Sequence, residues 1–477
     1  MLEKNKVYRA RIQGYTSEGL GVARIDGQAV FVHQALRGEE CDILVLKVLK
    51  NAAFGKAVRV YEPSPHRVEP DCPYYGRCGG CDFRHMDRAE ELAAKRQRVQ
   101  DALARIGGSA VTVEGIDGGE PLHYRNKSQY PVAADGSVGF YKARSHQVIP
   151  VERCRIQKPQ ADAAAQALRT YLRLYGVSCY DEKTRRGLVR YLYVRTNGAG
   201  QSLLCVLVNG KKLPHERELV DLLRQAVPET VGVVLGVNTR PTGAVLGQEY
   251  RTLWGADVLT DTLCGLTFRL SVPSFYQVNR EMAEVLYRRA VEFAGLTGTE
   301  TVLDLYCGAG TITQVMARHA GRVIGAEIVP EAIEDARANA QRNGVENVEF
   351  FCGDAAAAAA DCALIVCNSE PVCIRDASIV RRLLTELEVP QQRLVINRFN
   401  AEYFGSLSAG REDAGGLRDL DDVIDQSGVR LIGIVPEDRQ MTAAFQRGCV
   451  PEDDLPGMTA LSRIAARMNG VSVPLSL

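Results

Sequence analysis

Three cysteines lie close together in the stretch CPYYGRCGGC, where Cys72, Cys78 and Cys81 have a C-x5-C-x2-C spacing. The glycine pair before the third cysteine lets the backbone fold tightly, so three thiolates can converge on one centre. Four thiolates complete either a zinc site or an iron–sulfur cluster. Cys154, in VIPVERCRIQ, is the candidate for the fourth ligand. The spacing alone leaves both metal centres, and three unrelated buried cysteines, as alternatives.

A second group of residues surrounds a glycine turn. The stretch TVLDLYCGAGT predicts a buried strand that runs into a turn and then into a helix, and Gly308 and Gly310 allow a ligand to approach the backbone. The next predicted strand ends in Glu327, where a carboxylate can accept hydrogen bonds from ribose hydroxyls. A third strand, NVEFFCGD, ends in Asp354, which we expect to face an adenine edge. A dinucleotide enzyme also fits a lone GxG.

Several elements are needed to position these residues. Residues 1–62 contain short β-like runs separated by turns, which predict a small barrel. Residues 63–270 hold the cysteines, a helix with a basic face and further β-rich runs. Residues 271–360 have a strand–helix–strand pattern, and residues 361–477 keep an α/β pattern of different character. The predicted fold class is α/β with a β-rich N-terminal part.

The composition narrows the class of protein. The chain has 477 residues, of which 46% are hydrophobic and 24% charged, as is typical of a globular protein. Its 58 basic and 58 acidic residues cancel, so any nucleic-acid-binding surface must be local. The sequence predicts neither a signal peptide nor a membrane span. With 14 cysteines and an expected cytoplasmic location, thiol, metal or cluster chemistry is favoured over disulfides for a few of them.

The cysteine region resembles a known family. The stretches CPYYGRCGGCDFRHM, HYRNKSQYPV and GFYKARSHQVIPVERCRIQ resemble the uracil-5 RNA methyltransferases that carry a [4Fe–4S] cluster. The resemblance covers residues 1–355 and implies such a cluster on Cys72, Cys78, Cys81 and Cys154. It also implies that residues 1–62 form a TRAM domain, which is an OB-like RNA-binding module.

The glycine turn has the same resemblance. DLYCGAGT followed by AEI and GDA is more specific for S-adenosylmethionine methyltransferases than a lone GxG, and SVPSFYQVNREMAEVLY is similar to the uracil-5 family as well. The resemblance implies a Rossmann-like domain that binds S-adenosylmethionine. Its implied cofactor contacts are Gln277, Tyr306, Thr311, Glu327 and Asp354.

RNA is the partner that the resemblance implies, with ribosomal RNA expected. The candidates for phosphate contact are the barrel, Arg125, Lys127, Lys142, Arg144 and the basic helix residues Lys95, Arg96 and Arg98. In the family, a cysteine thiolate adds to uracil carbon 6, carbon 5 attacks the methyl group, and a base removes the carbon 5 proton. The target base is flipped out of its stack for this reaction.

The residues for that reaction are not found where the family has them. Residues 356–477 lack the family's DPPR-x-G motif, its Ser-Cys-Asn-Pro motif with the nucleophile, and its His-Val-Glu segment with the base. Cys367 lies thirteen residues past Asp354, where a fourth strand is expected, so we interpret it as a buried strand residue. The catalytic residues are therefore unassigned, and we expect little or no methylation of uracil.

The C-terminal part resembles a different family. CALIVCNSEPVCIRDASIVRRLL, RLVINRFN and LDDVIDQSGVRLIGIVPEDRQMTAAFQRG resemble the C-terminal half of the MinD-type septum-site ATPases. No G-x-x-x-x-G-K-[ST] loop is present, so ATP hydrolysis is not expected. The alternative to an active methyltransferase is an inactive RNA- and cofactor-binding chimera with a MinD-like tail. The join would lie near residues 355–361, and the apolar runs on its two sides could pack as one sheet.

Overall fold

The computed structural model describes residues 2–16, 18–247, 249–353, 362–368, 371–386, 391–399, 420–446, 451–469 and 471–474. The chain divides into two compact units. The first consists of Met1–Val302, Gly308–Val323 and Glu331–Val348, and the second of Leu303–Cys307, Ile324–Pro330 and Glu349–Leu477. None of the helices in the described ranges is long and apolar enough to cross a membrane.

The first unit begins with a closed five-stranded barrel. Its strands are β1 (Val7–Tyr15), β2 (Gly21–Ile25), β3 (Gln28–His33), β4 (Glu40–Val48) and β5 (Ala52–Glu62), in the order β1-β2-β3-β5-β4. Alternate residues point inward and form the barrel core, among them Ile12, Val30, Val32 and Ile43, all of which are buried. The barrel predicted for residues 1–62 is therefore present.

A central five-stranded sheet follows the cysteine loop. Helix α1 (Arg88–Asp101) comes first, and a short π-helical turn at Ala102–Ile106 extends it. The elements that follow are β6 (Lys127–Pro131), β7 (Gly139–Tyr141), β8 (Val148–Pro150), α2 (Pro159–Leu174), β9 (Val189–Thr196), β10 (Ser202–Val208), α3 (Glu216–Ala226), β11 (Thr230–Val237) and β12 (Glu249–Gly255). The sheet has the order β12-β11-β10-β9-β6, and a separate hairpin pairs β7 with β8.

The core of this sheet is apolar on the side covered by helices. Leu192, Leu204 and Val206 pack with Leu168 of α2 and Leu219 of α3 in one buried cluster. Every residue of β9 and of β10 is buried. Both faces of these strands are covered, so β10 is a continuous apolar run after Ser202, and β9 buries Arg190 and Arg195 beside its apolar residues.

The next part of the chain contains the glycine turn. A hairpin of β13 (Val258–Leu263) and β14 (Leu266–Ser271) precedes α4 (Arg280–Ala294). Strands β15 (Thr301–Leu305), β16 (Arg322–Glu327) and β17 (Val348–Cys352) form a three-stranded sheet in that order, with α5 (Thr311–Ala317) and α6 (Pro330–Asn343) between them in sequence. This is the strand–helix–strand pattern predicted for residues 271–360.

The C-terminal part forms another three-stranded sheet. Parallel strands β18 (Cys362–Asn368), β19 (Gln391–Phe399) and β20 (Leu431–Pro436) lie in that order. The helices of this part are α7 (Pro371–Glu386), α8 (Leu420–Ser427), α9 (Arg439–Gln446) and α10 (Pro456–Met468). The expectation that apolar runs on both sides of residues 355–361 pack as one sheet is wrong for the described residues. Neighbouring parallel strands are joined by helical crossovers, and α7 and α8 provide these within the C-terminal part itself.

Candidate cysteine centre and cofactor site

The four cysteines predicted to bind a metal line one cavity of about 230 Å³. Cys72, Cys78 and Cys81 come from the loop before α1, and Cys154 follows β8. The Cys78 amide donates a 2.8 Å hydrogen bond to the Tyr74 carbonyl oxygen, which closes a tight turn in the loop. Gly79 packs closely against the neighbouring backbone, because a Cβ there would lie 3.0 Å from Cα of Ala143. The sequence therefore brings all four thiols to one place.

The thiols affect one another electrostatically. Burial raises the pKa of Cys81 to about 12, and the nearby thiol of Cys154 adds to this effect. Burial also raises the pKa of Cys78 and of Cys154. A bound cation would reverse these shifts, because metal binding requires thiolates. Among the described residues, however, no group of three or more His, Cys, Asp or Glu side chains is arranged so that it could hold a metal ion. The four thiols share a cavity, and the metal-site assignment stays a prediction.

Cationic side chains line the same cavity. Arg84 and Arg155 both pair with Asp71, at 2.6 and 2.8 Å. Arg125 and Lys127, predicted as phosphate contacts, are half-buried here, and burial lowers the pKa of Lys127 with a further contribution from Arg195. Four cationic side chains, two of them paired with Asp71, therefore line the cavity that the four thiols share.

The other predicted RNA contacts lie on more exposed surface. Arg144 forms an ion pair with Glu18 at 2.7 Å, and Lys95 pairs with Glu91 at 2.6 Å on α1. Lys95 also lies over the ring of Phe83, 5.7 Å from its centroid. Their part in RNA binding stays a prediction.

Gln277 lies in a loop that is fixed from several sides. The loop runs from the end of β14 to the start of α4. The Asn126 side-chain amide donates to the Gln277 carbonyl oxygen at 2.9 Å, and the Tyr276 hydroxyl donates to Asp261 at 3.0 Å. Ser274 donates to the Asp335 carboxylate at 2.5 Å. These contacts, all within the first unit, hold the backbone that carries Gln277 in one conformation.

Thr311 also belongs to the first unit. It begins α5 directly after Gly310, whose φ of +73° is in the left-handed region, and Gly308 has a φ of +55°. Glycine adopts such angles without the steric cost of a side chain. The hydroxyl groups of Thr311 and of Tyr287 on α4 lie 2.8 Å apart. This hydrogen bond ties the start of α5 to α4.

Tyr306 and Glu327 belong to the second unit. Tyr306, just after β15, is 77% exposed and has a φ of +69°, an uncommon and strained conformation for a bulky residue. Glu327 ends β16, where its carbonyl oxygen accepts a 3.0 Å hydrogen bond from the Gly353 amide. Its carboxylate accepts a 3.1 Å hydrogen bond from the Val329 amide. Asp354 lies outside the described residues.

Cys367 lies on β18 with 7% of its surface exposed. Burial raises the pKa of its thiol to about 11, so the thiol is protonated at neutral pH. The prediction of a buried strand residue is confirmed.

Sequence reasoning missed two residues that hold the predicted site together. Asn126 and Tyr287 lie within stretches that resemble the family, HYRNKSQYPV and SVPSFYQVNREMAEVLY, but nothing marks their roles. Asn126 is 151 positions from Gln277, which it contacts. A single sequence has no signal for a contact over that separation.

Comparisons with known proteins cover most of the chain. A family model described as tRNA (uracil-5-)-methyltransferase matches residues 87–358, and a TRAM domain model matches residues 2–58. A model described as a methyltransferase domain matches residues 296–424 and so crosses the boundary predicted at residue 360. An uncharacterized RNA methyltransferase of Halalkalibacterium halodurans is 42% identical over 360 residues, which are 74% of this chain and 79% of that protein.

Solved structures agree with the fold. The tRNA (uracil-54, C5)-methyltransferase of Pyrococcus abyssi, in complex with S-adenosyl-L-homocysteine, matches with a TM-score of 0.60 and 21% identity, over 76% of this chain and 84% of that chain. The MinD cell division protein of Aquifex aeolicus is 26% identical and covers 31% of this chain and 63% of that chain, with a TM-score of 0.23. This partial match carries no argument, and the MinD resemblance of residues 361–477 is not supported by the comparisons.

Proposed function

We propose a reaction from the premise that this chain belongs to the tRNA (uracil-5-)-methyltransferase family. The chain is by family an RNA methyltransferase, with a TRAM domain at its N-terminus. The proposed reaction transfers the methyl group of S-adenosylmethionine to carbon 5 of a uracil in RNA. Ribosomal RNA is the substrate expected from the sequence, and transfer RNA is the class named by the family.

The observation that carries the cofactor proposal is the carboxylate of Glu327 at the carboxyl end of β16. In Rossmann-like folds, ligands bind at the carboxyl ends of the strands, and an acidic residue there accepts hydrogen bonds from ribose hydroxyls. The left-handed glycines before α5 support the same proposal, since they leave the backbone open to a ligand. Gln277, Tyr306, Thr311 and Asp354 are the other proposed contacts.

Carbon 5 of uracil is a poor nucleophile, so the reaction needs a thiolate that adds to carbon 6 and a base that later removes the carbon 5 proton. We assign neither residue. The buried thiol of Cys367 does not suit the first role, because it is protonated at neutral pH. The comparisons give no support to the expected loss of activity or to the alternative of an inactive chimera with a MinD-like tail.

The four cysteines fit a [4Fe–4S] cluster better than a single zinc ion. A zinc ion needs four sulfurs at about 2.3 Å from one point. Here the four thiols line a cavity of about 230 Å³. A cluster with four cysteine ligands occupies more space. When bound, it would tie the loop before α1 to the segment after β8.

A methyl-transfer assay tests the reaction. The full chain is incubated with S-adenosylmethionine carrying a labelled methyl group and with unmodified ribosomal or transfer RNA, and the nucleosides are analysed by mass spectrometry. We expect 5-methyluridine, and we expect Glu327→Gln to weaken cofactor binding by about tenfold through the lost charged hydrogen bonds. Glu331→Gln, an exposed position on α6, is the matched control. The absence of methylated uridine in both RNAs would contradict the proposal.

Metal analysis tests the cluster separately. Protein purified without oxygen should be brown and contain about four irons per chain. Cys154→Ser should lose the iron, whereas Cys179→Ser, a cysteine outside the cavity, should retain it. Colourless protein with stoichiometric zinc would show that the cluster assignment is wrong.

A further inference from the structure

We propose that residues 123–126 couple the cysteine centre to the cofactor loop, with Asn126 as the positioning residue. The coupling rests on the proposed function, since it joins the proposed cluster to the proposed S-adenosylmethionine site. Its consequence is that an occupied cysteine centre strengthens cofactor binding. All the residues that carry the inference lie in the first unit.

On one side, residues 123–126 pair with the segment that follows Cys154. The amides of His123 and Arg125 donate to the carbonyl oxygens of Arg155 and Ile156, at 2.9 and 3.0 Å. Nδ1 of His123 lies 2.7 Å from the Gln157 carbonyl oxygen. The segment that contains a proposed metal ligand is therefore fixed to residues 123–126 over three successive positions.

On the other side, Asn126 is bonded to the cofactor loop twice. Its backbone amide donates to the Val278 carbonyl oxygen at 2.8 Å, and its side-chain amide donates to the Gln277 carbonyl oxygen at 2.9 Å. Asn126 is 5% exposed, so its hydrogen bonds are shielded from water. An unpaired buried amide is costly, so the loop stays in the conformation that satisfies this one.

The same contacts continue to a second proposed cofactor residue. Arg125 forms an isolated bridge with Asn279. Asn279 caps α4, where its side chain accepts a 3.1 Å hydrogen bond from the Met282 amide. Tyr287 on the same helix bonds to Thr311. A shift of residues 123–126 therefore changes the positions of both Gln277 and the start of α5.

A metal centre acts on these contacts through Cys154. A bound cluster would fix the sulfur of Cys154 relative to the loop before α1. Because Arg155 and Ile156 come directly after Cys154 in the chain, their backbone would be held as well. When the centre is empty, this segment lacks the link through the Cys154 sulfur, and only hydrogen bonds, packing and the ion pair of Arg155 with Asp71 hold it. Coupling between two sites is reciprocal, so S-adenosylmethionine must also stabilise the occupied centre by the same factor.

Titration calorimetry with the full chain tests this inference. S-adenosylmethionine is titrated into the iron-loaded protein and into protein stripped by a chelator. We expect Kd to rise about tenfold on stripping, within the usual range for coupled sites. Asn126→Ala in the loaded protein should raise Kd by about tenfold, the cost of a lost buried hydrogen bond, and stripping should then have less effect.

Asn238→Ala is the matched control. Asn238 is also fully buried and also donates its side-chain amide to backbone carbonyl oxygens, those of Ala244 and Val245, but it does not contact the cofactor loop. We expect it to lower thermal stability as Asn126→Ala does and to leave Kd unchanged. Hydrogen exchange of residues 275–280 should quicken in Asn126→Ala and in the stripped protein, and not in Asn238→Ala.

Three results would overturn the inference. The first is an unchanged Kd in Asn126→Ala, and the second is a Kd that rises equally in Asn238→Ala. The third is a stripping effect of the same size in wild type and in Asn126→Ala. Each of these leaves the proposed function standing, because the cofactor still binds. If the loaded wild-type chain does not bind S-adenosylmethionine, the proposed function itself fails, and the inference fails with it.

Discussion

The central sheet and the two three-stranded sheets differ in how much of their apolar surface is covered. All residues of β9 and β10 in the central sheet are buried, and α2 and α3 cover one face. In the second unit, Leu303 and Leu305 of β15 are 44% and 41% exposed, and Val366 of β18 is 59% exposed. The second unit thus leaves apolar strand residues exposed to solvent. An equivalent strand of the central sheet would bury such residues.

This difference indicates where the stability of the molecule lies. Burial of apolar surface is the main favourable contribution to folding, at roughly 25 cal/mol per Å². The strands of the central sheet bury apolar surface on both faces, whereas β15 and β18 bury only part of their apolar surface. The cysteine centre and the Gln277 loop belong to the first unit, so the proposed functional residues there are supported by the better-packed region.

The comparison predicts a large difference between two leucine substitutions. Leu204→Ala removes a fully buried side chain from the central core and should cost about 2–5 kcal/mol of unfolding free energy. Leu303→Ala, at an exposed position, should cost less than about 1 kcal/mol. Calorimetric unfolding measures both. The single tryptophan, Trp254 on β12, reports on the central sheet by fluorescence. Equal losses would mean that β15 is covered in solution.

Acid should destabilise the first unit through His85. Burial lowers the pKa of His85 to about 4 from 6.5. The folded form therefore binds fewer protons than the unfolded form in this pH range. The stability that neutral His85 contributes to the folded form is complete above pH 6.5 and is lost as the pH falls towards 4. At about 1.4 kcal/mol per pKa unit, the change amounts to roughly 3 kcal/mol. Unfolding free energies between pH 7 and 4 measure it.

His85→Gln should flatten this pH dependence. His319→Gln, which removes an exposed histidine, is the control and should leave it in place. If His85→Gln and wild type lose stability in parallel as the pH falls, then the close packing of the first unit does not extend to the cysteine loop.

Local patterns in the sequence predicted the regions where short-range physics decides the structure. Alternating residues between turns predict the barrel, because strand faces alternate along the chain. Gly308 and Gly310 predict the turn before α5, because their left-handed φ angles suit glycine. The spacing of Cys72, Cys78 and Cys81 predicts a shared cavity, and Cys154 joins it as expected.

Long-range contacts could not be predicted in this way. Neither the hydrogen bond between Asn126 and Gln277 nor the pair of Tyr287 and Thr311 has a local signature. The separate sheets on the two sides of residues 355–361 were also missed, since an apolar run shows that a strand is buried but not which strand it pairs with. The half-buried positions of Arg125 and Lys127 depend on the cavity, which only the fold creates.

Cys367 allows the reaction to be tested against the packing of the second unit. Cys367→Ala removes a buried sulfur from the core of the β18-β19-β20 sheet and should cost about 1 kcal/mol. We expect no change in methyl transfer to RNA, because burial keeps the thiol protonated. The labelled-methyl assay measures this. A loss of transfer in a folded variant would identify Cys367 as the nucleophile and show that our interpretation is wrong.

The smallest expected effect concerns the exposed strand itself. Leu305→Lys replaces an apolar side chain that is 41% exposed, so the unfolding free energy should change by no more than about 0.5 kcal/mol. The variant should bind less of a hydrophobic dye such as 1-anilinonaphthalene-8-sulfonate, because it interrupts the exposed apolar surface of β15. Val58→Lys, at a 50% exposed position on β5 of the barrel, is the matched control and should change dye binding less. A large loss of stability in Leu305→Lys would mean that the face of β15 is buried in solution, and the contrast with the central sheet would then disappear.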